Sequence, residues 1–230
     1  MRATLLATVA ATAMFLAVGQ AGAADIVPQN SLGMYVSVFG GASFPSNIKT
    51  HYAATLGTNY SSTLHLKSGY LLGGAIGMQF NDMVRGEIEL SHSSWKGKSY
   101  SYVATTGATG SGSVSGRISA TYLLANVWLD MKNESAFTPY AGGGLGVGWV
   151  HGNIDYGSGY GHGNGKNTDF AFQLGVGVKY AFSDNLSLDL GYRYKSIVNV
   201  DFKNHDPTRN DLTGGDVSSH NIQLGLTYSF

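Results

Sequence analysis

The stretch HNIQLGLTYSF, residues 220–230, carries two faces. Counting back from Phe230, the residues Tyr228, Leu226, Leu224 and Ile222 make an apolar row. Ser229, Thr227, Gly225, Gln223 and Asn221 between them are polar or small. A period of two is that of a β-strand. The pattern continues to the final residue, where chains ordinarily fray. This strand is therefore expected to be held in a sheet to its end.

The same alternation recurs upstream. Phe170, Phe172, Leu174, Val176, Val178, Tyr180 and Phe182 form one row, and Leu186, Leu188, Leu190, Tyr192 and Tyr194 another. Similar strands are expected around 33–44, 69–80, 83–95, 117–130, 137–151 and 217–230, which makes eight. Their connections alternate in length. Asn81-Asp82, the segment 131–136 and Ser183-Asp184-Asn185 are short, whereas the others run to about 15–25 residues rich in Gly, Ser, Thr and Asn. An up-and-down barrel with its short turns gathered at one end has this spacing.

The two faces distinguish inside from outside. The apolar face is continuous, and the opposite face carries few charges and many glycines. Arg85, Glu87 and Glu89 alternate with Val84, Gly86, Ile88 and Leu90, and Gly142, Gly144, Gly146 and Gly148 alternate with Leu145, Val147 and Trp149. A soluble barrel would need ordinary charge on its outer face. Here the apolar face suits lipid, and the small residues leave room inside for long side chains. The fold expected is all-β: an eight-stranded antiparallel up-and-down transmembrane β-barrel. Aromatic girdles are expected from Phe80, Trp128, Phe137, Phe182, Tyr228 and Phe230 at the short-turn end, and from Trp95, Trp149, Tyr192 and Tyr194 at the other. The fourth strand is irregular: Ile118, Ala120 and Tyr122 fall out of phase with Leu123, Ala125, Val127 and Leu129, and a bulge near Thr121 would reconcile them.

Composition agrees. Charged residues are 12% of the chain, about half the ~25% usual for a soluble domain. There is no cysteine, hence neither a disulfide nor a thiolate site, and the formal net charge of zero gives no reason to expect a nucleic-acid partner. Residues 1–23 read as a secretory signal peptide: basic Arg2, an apolar stretch from about Leu5 to Val18, then Ala21-Gly22-Ala23, with cleavage expected after Ala23 and after Ala24 as the near alternative. Residues 24–230 form the barrel domain.

Arg85, Glu87, Glu89, Lys179, Asp189, Arg193 and Lys195 are expected to line the lumen, joined by Asn126 and Asp130. In so small a barrel, opposite charges buried together favour a plug over an open path. The histidines cluster toward the long connections, and His51, His65, His162 and His205 are the candidates for binding metal or hemin, although no pair has the tight H-x₃₋₅-H spacing of a zinc site. No cofactor is expected. His92 and Ser94 share a face, but a serine–histidine pair needs an acid to complete it, and Glu87 and Glu89 lie in the opposite phase. An enzyme is not expected. Lys49, Lys67, Lys96, Lys98 and Lys166, in or beside the long connections, are placed to meet lipopolysaccharide phosphates.

FTPYAGGGLGVG (137–148), YAFSDNLSLDLGYRYKSI (180–197) and the aromatic C-terminal strand resemble the opacity-type, porin-like barrels of Gram-negative outer membranes, relatives of the transmembrane domain of the OmpA class. The resemblance covers nearly all the chain after residue 23. It implies that Gln223, Gly225, Tyr228 and Phe230 are the C-terminal signal read by the barrel-assembly machinery. It also implies an outer-membrane location with long loops extracellular and termini periplasmic. The expected function is that of a small outer-membrane barrel with a structural or surface-interaction role and at most a narrow pore. The alternatives are a passive diffusion porin for small solutes and a surface receptor or adhesin that takes hemin, metal or another extracellular ligand through its loops.

Overall fold

A computed structural model of the protein describes residues 33–53, 59–131, 133–155, 162–202 and 212–230; the expected leader at 1–23 lies outside them. The strands are β1 (Met34–Pro45), β2 (Ile48–Ala53), β3 (Asn59–Leu66), β4 (Gly69–Gln79), β5 (Val84–Ala104) and β6 (Thr109–Ser113). They continue with β7 (Ser115–Asp130), β8 (Phe137–Asp155), β9 (His162–Ala181), β10 (Leu186–Phe202) and β11 (Leu212–Ser229). Eight of them, β1-β4-β5-β7-β8-β9-β10-β11, pair antiparallel in a ring that closes through β11 on β1. Closure leaves no open sheet edge at membrane depth, as lipid requires.

The C-terminal strand seals the ring. Its ladder with β1 runs without a break from Tyr35↔Ser229 to Pro45↔Ser219. The Phe230 amide donates to the Met34 carbonyl at 3.0 Å, and the Ser229 amide to the Asn185 carbonyl at 2.8 Å. The chain end is thus pinned from both sides, and the alternation persists because residues 220–229 belong to the β1 ladder and Phe230 is tied to Met34.

The short turns form through side chains that accept backbone hydrogens. Asn81 Oδ1 accepts from the Met83 and Val84 amides, each at 2.8 Å, and Ser183 Oγ accepts from the Leu186 amide at 3.1 Å. Asn and Ser in these turns replace backbone partners that a sharp reversal loses.

The long connections are not simply loops. β5 has 21 residues and β9 has 20, about twice the ~9–11 that cross a membrane. Beyond the barrel, the hairpin β2–β3 packs on one edge of β5 and β6 on the other. The turn into β6 needs Gly107, whose φ is +85°. The ladder shifts register between His65 and Leu66, so β5 is bulged where it leaves the ring.

Three expectations are corrected. No bulge lies near Thr121: β7 pairs without a shift with both β5 and β8. Ile118, Ala120, Tyr122 and Leu124 instead point inward and are buried. They belong to an apolar cluster with Trp95, Val150, Ile154, Ala171, Ile197, Val200 and Val217, which fills the half of the interior farther from the short turns. Trp95 and Trp128 are not girdle residues; both are buried inside, Trp95 in that cluster and Trp128 among charged groups. Phe80, Phe137, Phe182, Tyr228 and Phe230 do face outward and are exposed, as are Leu72, Ile76, Ile88, Leu174, Leu190 and Leu224 on the lipid-facing band.

Candidate functional site: the barrel interior and outer rim

The inward positions of the half nearer the short turns carry a connected polar network. Arg85 is buried, donating from Nε to Asp130 Oδ1 and Oδ2 at 2.9 and 3.1 Å and from Nη1 to the Tyr35 hydroxyl at 3.3 Å. Tyr35 donates in turn to Glu87 Oε2 at 2.8 Å, and Trp128 Nε1 to Glu87 Oε1 at 2.8 Å. Lys179 stands 3.9 Å from Asp130. Arg193 donates to the Tyr140 hydroxyl at 2.7 Å, and Tyr140 donates to Asp189 Oδ1 at 2.9 Å. The Arg193 guanidinium also lies 4.2 Å over the Trp128 ring, a cation–π contact inside the barrel.

One layer further out, Glu89 receives four donors. Lys195 Nζ and Ser91 Oγ reach Oε1, and Asn126 Nδ2 and Gln173 Nε2 reach Oε2 at 3.1 and 2.7 Å. Lys195 also donates to Ser91 Oγ at 2.9 Å, and its side chain is fully buried. Directly outward begins the apolar cluster, with the Tyr122 ring 5.2 Å from Lys195 Nζ.

The glycines make this packing possible. A Cβ on Gly175 would stand 2.5 Å from Arg193 Cδ, and one on Gly144 would collide with Asn126 Oδ1. Long side chains from β5, β7 and β10 therefore occupy the space that β8 and β9 leave. In this half the described residues set four cations (Arg85, Lys179, Arg193, Lys195) against four anions (Glu87, Glu89, Asp130, Asp189). A cavity of about 30 Å³ lies among Arg85, Glu87, Glu89, Lys179, Asp189 and Arg193, against the wall of Ser37, Gln223 and Thr227. That is room for about two water molecules.

All seven charged residues singled out in the sequence thus point inward, and the structure brings them together with Asn126 and Asp130. Sequence reading missed Tyr35, Trp128, Tyr140 and Gln173 as members of the network, because an aromatic or amide at an inward position carries no signal of its own. At the C-terminus, Gln223 lines the cavity wall, Gly225 sits inward beside Phe39, and Tyr228 and Phe230 face outward with ring centroids 5.2 Å apart.

The histidines are scattered. His65 Nδ1 bonds Asn47 Oδ1 at 3.0 Å, His92 Nδ1 bonds Thr121 Oγ1 at 2.9 Å, and His220 Nδ1 bonds the Tyr192 hydroxyl at 2.7 Å. His51 and His162 fall in β2 and β9 with side chains outside the described set, and His205 lies outside the described residues altogether. Among the described residues no group of three or more His, Cys, Asp or Glu could hold a metal ion. The partner of His92 is a threonine, not the carboxylate a catalytic pair would need.

Comparison with known proteins follows the architecture. A PagN outer membrane protein of Salmonella typhimurium is 26% identical over 125 residues, an alignment spanning 51% of this chain and only about half, 52%, of that protein. Among solved structures, Neisserial surface protein A superposes with a TM-score of 0.50 at 20% identity, over 88% of this chain and 100% of that one. OprG of Pseudomonas aeruginosa superposes with a TM-score of 0.53 at 17% identity, over 87% and 97%. At such identities the structures share the fold alone. Residues 7–230 match the family described as the outer membrane protein beta-barrel domain. The chain belongs to that family: it is an eight-stranded outer-membrane β-barrel protein of Gram-negative type.

Proposed function

We propose that the protein is a closed, non-enzymatic barrel with a structural and surface-interaction role, carried by the strands that protrude beyond the membrane. The observation behind this reading is the interior. Four cations and four anions face one another in one half, all but Lys179 joined by hydrogen bonds, and an apolar cluster fills the other. An ion crossing this lumen would have to separate buried pairs and then enter a hydrocarbon-like layer, each at a cost of several kcal/mol. A passive diffusion pore is disfavoured for that reason.

Residues 1–23 are removed as a leader, the termini lie in the periplasm, and β2, β3, β6 and the outer parts of β5, β8 and β9 face the exterior. Gln223, Gly225, Tyr228 and Phe230 serve as the assembly signal. A surface receptor or adhesin is compatible with a rigid protruding sheet of this kind. Planar-bilayer conductance of refolded protein tests the proposal. A silent bilayer with protein shown to be folded by heat-dependent gel mobility is the expected result. Reproducible discrete steps from the wild type would reject the plug.

A further inference from the structure

Sulfur is confined to one part of the barrel. Of six methionines, Met1 and Met14 belong to the expected leader, and the others are Met34, Met78, Met83 and Met131. All four lie at the short-turn end. Met34 is the first residue of β1 and Met78 the next to last of β4. Met83 precedes the first residue of β5, and Met131 follows the last of β7. These four strands are consecutive in the ring, β1-β4-β5-β7.

The ladders draw the methionines together. Met34 and Met78 are Cα partners. The Gln79 amide donates to the Gly33 carbonyl at 2.9 Å, and the Met34 carbonyl accepts from Phe230 on the opposite side at 3.0 Å. Met34 and Met78 are therefore a pair without mutual backbone bonds, the kind in which side chains stand closest. On the neighbouring strands the Asp130 amide donates to the Met83 carbonyl at 2.7 Å, which sets Met131 beside the turn that holds Met83.

Methionine is among the residues most often buried. None of these is: their exposures are 37, 42, 62 and 57% in chain order. Phe80 apart, the aromatic residues of this girdle lie on or beside β8–β11, as Phe137, Tyr180, Phe182, Tyr228 and Phe230. Leucine would satisfy lipid at the four positions, and an aromatic ring would satisfy the interface. A thioether adds a nucleophilic lone pair that neither has. The chain has no cysteine and no methionine in the apolar cluster, so oxidation at sulfur leaves the filling of the barrel untouched.

We propose that Met34, Met78, Met83 and Met131 form a reversible oxidation site for peroxides, and that oxidation loosens one side of the barrel from the membrane interface. A sulfur lone pair attacks one oxygen of the peroxide. The S–O bond forms as the O–O bond breaks, and with hydrogen peroxide the second oxygen leaves as water. Sulfur loses two electrons and the peroxide gains them. The sulfoxide is polar, and hydrocarbon solvates it poorly. At Met34 the change falls on the seam where β11 closes the ring. The chemistry is the same whichever side of the membrane the short turns face.

The test treats the whole refolded protein, inserted in phosphatidylcholine vesicles, with hydrogen peroxide and follows each methionine by peptide mass spectrometry. All four should gain one oxygen, at rates within about tenfold of free N-acetylmethionine. The oxidised protein should then unfold in urea with an equilibrium constant raised at least about tenfold, and methionine sulfoxide reductases of both epimer specificities should restore it. Replacing all four by leucine conserves volume and should give a barrel whose urea midpoint ignores peroxide. Met34→Leu/Met78→Leu and Met83→Leu/Met131→Leu should each remove part of the shift, and they carry the comparison if the quadruple variant does not insert. Heat-dependent gel mobility reports folding throughout. Methionines oxidised more than about a hundredfold slower than the free amino acid would overturn the site. Complete oxidation with an unchanged midpoint, or an equal peroxide shift in the leucine variants, would overturn the loosening.

Discussion

Removing Lys195 should expose how dry the lumen is. In Lys195→Met the Glu89 carboxylate loses its one cationic partner but keeps Ser91, Asn126 and Gln173 as donors. Breaking a buried pair costs about 3–5 kcal/mol, and three remaining hydrogen bonds put this variant near 3. That is about a hundredfold in the unfolding equilibrium constant. Glu89→Leu is the harsher change. It leaves a fully buried ammonium with Ser91 as its single hydrogen-bond partner, so the cost should approach ~5 kcal/mol. The double variant Lys195→Met/Glu89→Leu removes both charges and should recover most of the loss, giving a coupling energy above about 2 kcal/mol. Urea unfolding of vesicle-inserted protein, followed by gel mobility, measures all three. If either single variant costs less than about 1 kcal/mol, water must reach the pair, and the plugged interior is wrong.

Other consequences are simpler to test. Gly175→Ala should displace Arg193 from Tyr140 and Trp128 and lower stability by about 1–3 kcal/mol in the same urea assay. Leu190→Arg, on the lipid face, should cost about 2–4 kcal/mol if Leu190 lies near the midplane, read from refolding yield in vesicles. Trp95→Ala should cost about 3–5 kcal/mol and make β5 and β7 cleavable by protease beyond the ring, while heat-dependent mobility of the barrel persists. Phe230→Ser should leave the lumen unchanged but slow insertion in cells, with precursor accumulating in the periplasm on a pulse–chase gel.

The ring was legible because its lipid face alternates strictly. Leu186 to Tyr194 and Ile222 to Phe230 hold one phase over their full length, and no competing period exists. β2, β3 and β6 were not legible. Thr109–Ser113, with Gly and Ser through most of its length, carries no apolar row, and it forms a strand because β5 offers it an edge. The supposed bulge at Thr121 came from treating the interior as polar throughout. Ile118 and Tyr122 are in phase with Asn126 and Asp130, and what changes along β7 is the filling of the barrel, not its register. Trp95 and Trp128 were misplaced because an aromatic near a strand end looks the same whether it meets lipid or a guanidinium.

The apolar cluster places the two halves of the molecule in different thermodynamic regimes. The lipid-facing band is matched to hydrocarbon, and its fit depends on the thickness and composition of the membrane. Around Trp95, Ile118, Ile154 and Val217 the protruding half instead withdraws hydrocarbon from water. Stabilisation of that kind weakens on cooling, with a heat-capacity signature that the lipid-embedded surface lacks. Cold should loosen the strands that protrude beyond the ring while the ring itself stays closed, so that the order of the protruding part alone follows the temperature.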